Sequence, residues 1–166
     1  MRVLALDPGF RQMGFALGET NNLITWGTWR TSALDGGHAD RLRIQAERVY
    51  DIVRKYCVEK VVIETYRVYR SVKAQHTTIE LIGALREGIR LLFPGVIFEE
   101  VAYKTWAARA KKIISRGYLD KLANSERWKA ALKDGSVHSR DAVMILLSQV
   151  LDLGKLQRFG GGKDGG

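Results

Sequence analysis

Residues 2 to 30 hold three extended runs and two turns before any helical period begins, which confines the chain to folds that open on an antiparallel meander. The runs are Arg2 to Asp7, Gln12 to Glu19 and Leu23 to Arg30. Asp7-Pro8-Gly9 and Thr20-Asn21-Asn22 supply the turn chemistry between them. From residue 39 to residue 57 the period changes: Leu42, Ala46, Val49, Val53 and Tyr56 or Cys57 recur at helical spacing with charged residues between. Lys60-Val61-Val62-Ile63-Glu64 is a short apolar run ending in an acid, as expected of a buried parallel strand whose C-terminal end opens at a site. A second helix is predicted over 73 to 92, with Leu81, Leu85, Ile89 and Leu92 on one stripe and Pro94-Gly95 ending it. Val96 to Ala102 reads as a fifth strand, followed by basic helical or irregular material to about 134. Ser136 or Ser139 is placed to cap a last helix running to about Leu153.

This order predicts an α/β fold: a mixed five-stranded sheet, made of the three-stranded antiparallel meander plus parallel strands, flanked by helices. The 166 residues suit one domain, over 1 to 153, and no internal repeat suggests a second. Residues 154 to 166 contain six glycines and no apolar period, so they are expected to form a flexible tail. No stretch free of charge exceeds 10 residues, half of the roughly 20 that a membrane span requires. The apolar run in residues 1 to 7 is too short for a secretory signal, so a cytoplasmic location is the expectation. Cys57, the single cysteine, allows neither a disulfide framework nor a Cys-based zinc site, and it is read as a core residue at a helix end.

The net charge of +9 is unevenly placed. Residues 104 to 133 carry nine basic side chains against only Asp120 and Glu126, and residues 65 to 76 carry Arg67, Arg70 and Lys73 with no acid. Clustered basicity suits a polyphosphate partner, because each cation that neutralises a phosphate releases a condensed counterion. The competing reading of 104 to 133 is a solvated helix face. Tyr66-Arg67-Val68-Tyr69-Arg70 is more pointed: it interleaves aromatics able to stack on bases with cations able to hold phosphates. The candidate DNA contacts are Tyr66, Arg67, Tyr69, Arg70 and Lys73 in the first window and Lys111, Lys112, Arg116 and Lys121 in the second.

Four polar residues stand at element ends. Asp7 closes the first strand, Glu64 closes the fourth, and His138 and Asp141 open the last helix, three residues apart and therefore on one face. If the first and fourth strands are neighbours, Asp7 and Glu64 come side by side beneath that helix. Carboxylates packed this way repel unless cations lie between them. Oxygen ligands with one imidazole suit Mg²⁺ or Mn²⁺ better than zinc. The arrangement predicts two metals per site, about 3.5 to 4 Å apart, serving phosphodiester hydrolysis. Taken singly, each residue has a plainer role: Asp7 in a turn, Glu64 as a surface acid, His138 flanking its helix and Asp141 complementing the helix dipole.

The motifs together resemble the RuvC-type Holliday junction resolvases of the ribonuclease H-like superfamily. Met-Arg-Val-Leu-Ala-Leu-Asp7-Pro8-Gly9 with Gly14-Phe-Ala is similar to the family's opening. Val61-Val62-Ile63-Glu64 and His138-Ser-Arg-Asp141-Ala142 are similar to its second and closing acidic motifs. The resemblance implies that Asp7, Glu64 and Asp141 are metal carboxylates, that His138 is a further ligand, and that Lys104 approaches the scissile phosphate or the attacking water. It also implies a wedge aromatic at Tyr66 or Tyr69, a homodimer making paired nicks in four-way DNA junctions, and Gly83 and Gly88 as sites of close helix packing across a dimer axis or onto the sheet. Ile114-Ser-Arg-Gly-Tyr-Leu-Asp-Lys121 replaces the family's Gly-rich, Lys-bearing stretch, leaving Lys121 as the candidate second lysine. These departures, with the Gly-rich tail, suggest a divergent or phage-type member.

Rival readings are a nuclease of broader branched-DNA or structured-RNA specificity, and a non-catalytic junction-binding module. An actin-like or chaperone-like ATPase would need two related halves, which 166 residues without a repeat do not supply.

Overall fold

Apolar side chains alternate between two faces along the first strand, β1 (Arg2–Asp7), and each face is covered by its own helices. The structure is a computed structural model describing residues 1–65, 72–133 and 136–151, without the side chains of residues 72–75. β1, β2 (Gln12–Glu19) and β3 (Asn22–Arg30) form the antiparallel meander. β4 (Lys60–Thr65) pairs parallel with β1, and β5 (Ile97–Ala102) pairs parallel with β4. The sheet order is β3-β2-β1-β4-β5. This is the mixed five-stranded sheet that the sequence predicts.

The helices are α1 (His38–Tyr56), α2 (Val72–Leu92), α3 (Tyr103–Ser115), α4 (Ser125–Lys133) and α5 (Val137–Val150). α1 and α2 cover the face that carries Leu4, Leu6, Val61 and Ile63. α3, α4 and α5 cover the opposite face, with Val3, Ala5, Val62 and Val101. The basic stretch after β5 thus resolves into two helices joined by a short 3₁₀ turn at Tyr118–Lys121. Their apolar sides, Trp106, Ala110 and Ile113 on α3 and Trp128 and Ala131 on α4, are buried.

Several local expectations need correction. Cys57 is exposed rather than core: it caps α1 in a left-handed conformation (φ 48°), and Val58 takes the buried position instead. Leu92 is 57% exposed, because the buried stripe of α2 ends at Ile89. α5 ends at Val150 with Leu151 as its C-cap, short of Leu153. Gly88 packs against α1 rather than the sheet: a Cβ there would collide with the Tyr50 hydroxyl. Gly83 is exposed, with no atom near its would-be Cβ.

Candidate metal centre and nucleic-acid interface

Strand alternation decides where the acids point. Val3 and Ala5 face α3–α5, so Asp7, the next residue in phase, faces the same way; so does Glu64, in phase with Val62. β1 and β4 pair in parallel with Leu6 opposite Ile63, and the next positions along are Asp7 and Glu64. The two acids therefore end adjacent strands, on the face that α5 covers. Asp7 is 3% exposed and Glu64 9%, burial that an acid tolerates only with a partner or a proton.

α5 supplies the partner. Ser136 caps this helix, its Oγ accepting from the Ser139 N–H at 3.2 Å, and shares a 2.5 Å hydrogen bond with Thr28 of β3. Of the two serines predicted as the cap, Ser136 fills the role. Gly14 lies opposite Asp7 in the β1–β2 register, and a Cβ there would overlap the His138 carbonyl. The absent side chain lets the first turn of α5 rest directly on the sheet. His138 Nδ1 then reaches Asp7 Oδ2 at 2.6 Å.

The electrostatics show acids crowded together. Burial first, then the charges of Asp7 and Asp141, push the Glu64 carboxyl up to about 7. Burial and Asp7 raise Asp141 as well. The hydrogen bond to Asp7, opposed by desolvation, raises His138, and the charges of Asp7, Asp141 and Glu64 add to that shift. Trp106, 1% exposed, turns its indole N–H toward Glu64 and pulls that carboxyl part of the way back down. That N–H has no partner in hydrogen-bond geometry among the described residues.

Three carboxylates and one imidazole are a donor set suited to a hard divalent cation, and their mutual repulsion is what such a cation relieves. Among the described residues no three His, Cys, Asp or Glu side chains already converge closely enough to hold a metal ion. Asp7 and His138 are instead engaged with one another.

Lys104 stands exposed in the first turn of α3, just beyond the end of β5 that lies beside Glu64 and Thr65. Lys121 is exposed on the 3₁₀ turn, its ammonium 5.4 Å from the Tyr118 ring. No hydrogen bond or ion pair among the described residues joins either lysine to the acids. The nine cations of 104 to 133 divide into two sets. Arg109 donates to the Leu151 carbonyl, Arg127 to the Ile24 carbonyl, and Lys129 pairs with Asp120 and Glu126. Lys104, Lys111, Lys112, Arg116, Lys121 and Lys133 remain exposed, without an ion pair among the described residues. Tyr66, Arg67, Tyr69 and Arg70 lie outside the described residues, as does the side chain of Lys73 on α2.

Sequence reasoning gave Trp106 no role and took Gly14 only as part of the opening motif, without its contact to α5. Gly14 was traceable, since a meander closed by Asp7-Pro8-Gly9 sets it across from Asp7. Trp106 gives no comparable signal, because a tryptophan on an amphipathic helix reads as core.

No protein-family model matches the chain, and no curated protein matches its sequence. Solved structures do match. Thermus thermophilus RuvC in complex with a Holliday junction substrate superposes with a TM-score of 0.70 at 19% identity, over 96% of each chain. The yeast mitochondrial Holliday junction resolvase Ydc2 gives a TM-score of 0.58 at 15% identity, covering 89% of this chain and 78% of that one. The fowlpox virus Holliday junction resolvase gives 0.53 at 12% identity, covering 90% of this chain and 98% of that one. The chain shares the α/β fold of these resolvase structures, at 12 to 19% sequence identity.

Proposed function

We propose that the chain is a divalent-metal-dependent endonuclease that resolves four-way DNA junctions, acting as a homodimer that nicks two opposed strands. The observation that carries this reading is the placement of Asp7 and Glu64 at the ends of adjacent parallel strands, with His138 bonded to Asp7 and Asp141 close enough for its charge to be felt by Glu64. Structures of the same fold include one bound to a Holliday junction and others named as junction resolvases, which supports branched DNA as the substrate class. The exposed cations of α3 and the turn after it fit a phosphate backbone.

In this reading Asp7, Glu64, Asp141 and His138 would hold Mg²⁺ or Mn²⁺. The bound ions would supply Lewis-acid polarisation of the phosphate and a water of lowered pKa. Hydrolysis breaks one P–O bond of the backbone, adds the water oxygen to phosphorus and returns a proton to the leaving oxygen. Lys104, exposed just beyond β5, would meet the scissile phosphate, and the burial of Asp7 and Glu64 would limit screening of the site by bulk water. Tyr66 or Tyr69, following directly on β4 in sequence, would part the strands at the crossover. No helix among the described residues is long and apolar enough to cross a membrane. A cytoplasmic location belongs to the same proposal.

The test is cleavage of synthetic four-way junction, fork and duplex DNA and of a structured RNA, with Mg²⁺, Mn²⁺ or EDTA. Paired, metal-dependent nicks near the crossover, lost in Asp7→Asn while binding persists, are expected. Equal cutting of plain duplex would reduce the reading to a general nuclease, and preference for the RNA would move it to the structured-RNA alternative. Light scattering of the protein with and without junction reads the dimer.

A further inference from the structure

The basic windows apparent in the sequence lie at 65 to 76 and 104 to 133, yet a cation on neither of them lies over the turn that follows Asp7. Arg41, on the first turns of α1, lays its guanidinium over the Phe10 ring, 4.0 Å from the centroid. The same ring stacks on His38 at 4.8 Å, and His38 Nε2 meets Glu80 of α2 at 2.6 Å. The guanidinium thus rests on a ring whose other contact is tied to a second helix. Its Nε is buried without a hydrogen-bond partner, and Arg41 forms no ion pair among the described residues. The nearby Asp35 feels its charge but commits its carboxylate to Ser32, 2.6 Å from that residue's N–H.

Phe10 follows Asp7 by three residues in the turn from β1 to β2, a reach of at most about 11 Å. β2 and β4 flank β1 on opposite sides. The Phe10–Arg41 contact therefore lies at the end of the sheet where Asp7 ends β1, with α1 on the face opposite the acids. A strand held across that sheet end at the acids would bring a neighbouring phosphate toward Arg41.

We infer that Arg41, lying over Phe10, is a seat for a backbone phosphate of the cleaved strand, within two nucleotides of the scissile position. A guanidinium with no ion pair among the described residues suits phosphate oxygens, and with Nε buried its terminal nitrogens are the ones that would meet them. This inference rests on the nuclease reading, and its test separates the two.

In an Asp7→Asn parent, junction affinity is measured against KCl concentration for Arg41→Ala, Arg41→Gln, Arg41→Lys and Arg43→Ala. Arg43 is the control: it lies on the same helix, removes the same charge and is paired with Glu47 at 2.8 Å. Arg41→Ala and Arg41→Gln should weaken binding several-fold on every junction sequence and flatten the salt slope by about 0.9, the loss of one phosphate contact. Arg41→Lys should keep the slope and lose part of the affinity, and Arg43→Ala should match the parent. A single uncharged methylphosphonate within two nucleotides of the cut should abolish the difference between the parent and Arg41→Ala. A parental slope in Arg41→Ala and Arg41→Gln, or a difference that survives every methylphosphonate position, would overturn the phosphate seat while leaving the nuclease reading intact. A parent that binds no junction overturns that reading, and this one with it.

Discussion

His138 Nδ1 sits 2.6 Å from Asp7 Oδ2, joining residues 131 positions apart in the chain. The pair ties the N-terminus of α5 to the end of β1, and it raises His138 beside carboxyls that burial and mutual repulsion raise as well. Loss of metal, change of pH and movement of α5 should therefore be felt together.

Metal-free stability should fall as pH rises. Burial and neighbouring acids raise Glu64 to about 7 in the folded chain from 4.5. Its favourable contribution is complete below 4.5 and is lost as pH climbs through 7. His138 is raised by its bond to Asp7 and Asp141 by burial, so both carry the same sign. In EDTA the protein should be about 2 kcal/mol less stable at pH 8 than at pH 5.5, a Tm difference of roughly 5 °C. Mg²⁺ should close that gap. Glu64→Gln should raise Tm at pH 8 in EDTA, leave it nearly unchanged at pH 5, and remove most of the response to Mg²⁺. Thermal melts at both pH values read all three effects.

Gly14→Ala should disable the site from behind. Its Cβ would overlap the His138 carbonyl, so the first turn of α5 must lift off the sheet. A loss of about 3 kcal/mol is expected from overpacking against backbone, together with weaker Mn²⁺ binding in calorimetry. Normal Mn²⁺ affinity in the variant would show that α5 can shift without moving His138.

Trp106→Phe removes a buried donor that has no partner in hydrogen-bond geometry among the described residues. Its stability cost should be small, within about 1 kcal/mol, because no made hydrogen bond is lost. If the indole N–H orients Glu64 once that carboxylate is ionised, Mn²⁺ affinity should fall several-fold. Calorimetric titration at pH 8 distinguishes this from a purely packing role, which would leave affinity unchanged.

Lys104 and Lys121 should separate in kinetics. Lys104→Ala is expected to lower the cleavage rate about 100-fold or more, in line with loss of one charge aimed at a developing oxyanion, with junction affinity within about threefold. Lys121→Ala should reduce affinity modestly and leave single-turnover cleavage close to wild type. A rate defect confined to Lys121 would make it the catalytic lysine.

The sheet and the acidic site are legible in the sequence for one reason: an acid ending a buried strand breaks a strong apolar pattern. Asp7 after Val3-Leu-Ala-Leu and Glu64 after Val61-Val-Ile both do so, and strand phase then sends both to the face that bears Val3, Ala5 and Val62. Signals that depend on what packs from elsewhere in the chain are weaker. Cys57 continues the apolar stripe of α1 on paper, but the left-handed turn at its own position rotates it outward and hands the buried place to Val58. Arg41 belongs to no basic run, and its significance comes from Phe10, a residue 31 positions away that only the folded turn brings beneath it. Leu92 carries the spacing of α2 past the point where the sheet stops covering that helix.

The central claim is that Asp7, Glu64, His138 and Asp141 make one cation-binding centre. Crystals soaked in Mn²⁺ and measured for anomalous scattering test it most directly. Two manganese peaks among these four side chains, with His138 released from Asp7, are predicted. Full occupancy elsewhere on the molecule, with the His138–Asp7 pair unbroken, would contradict it.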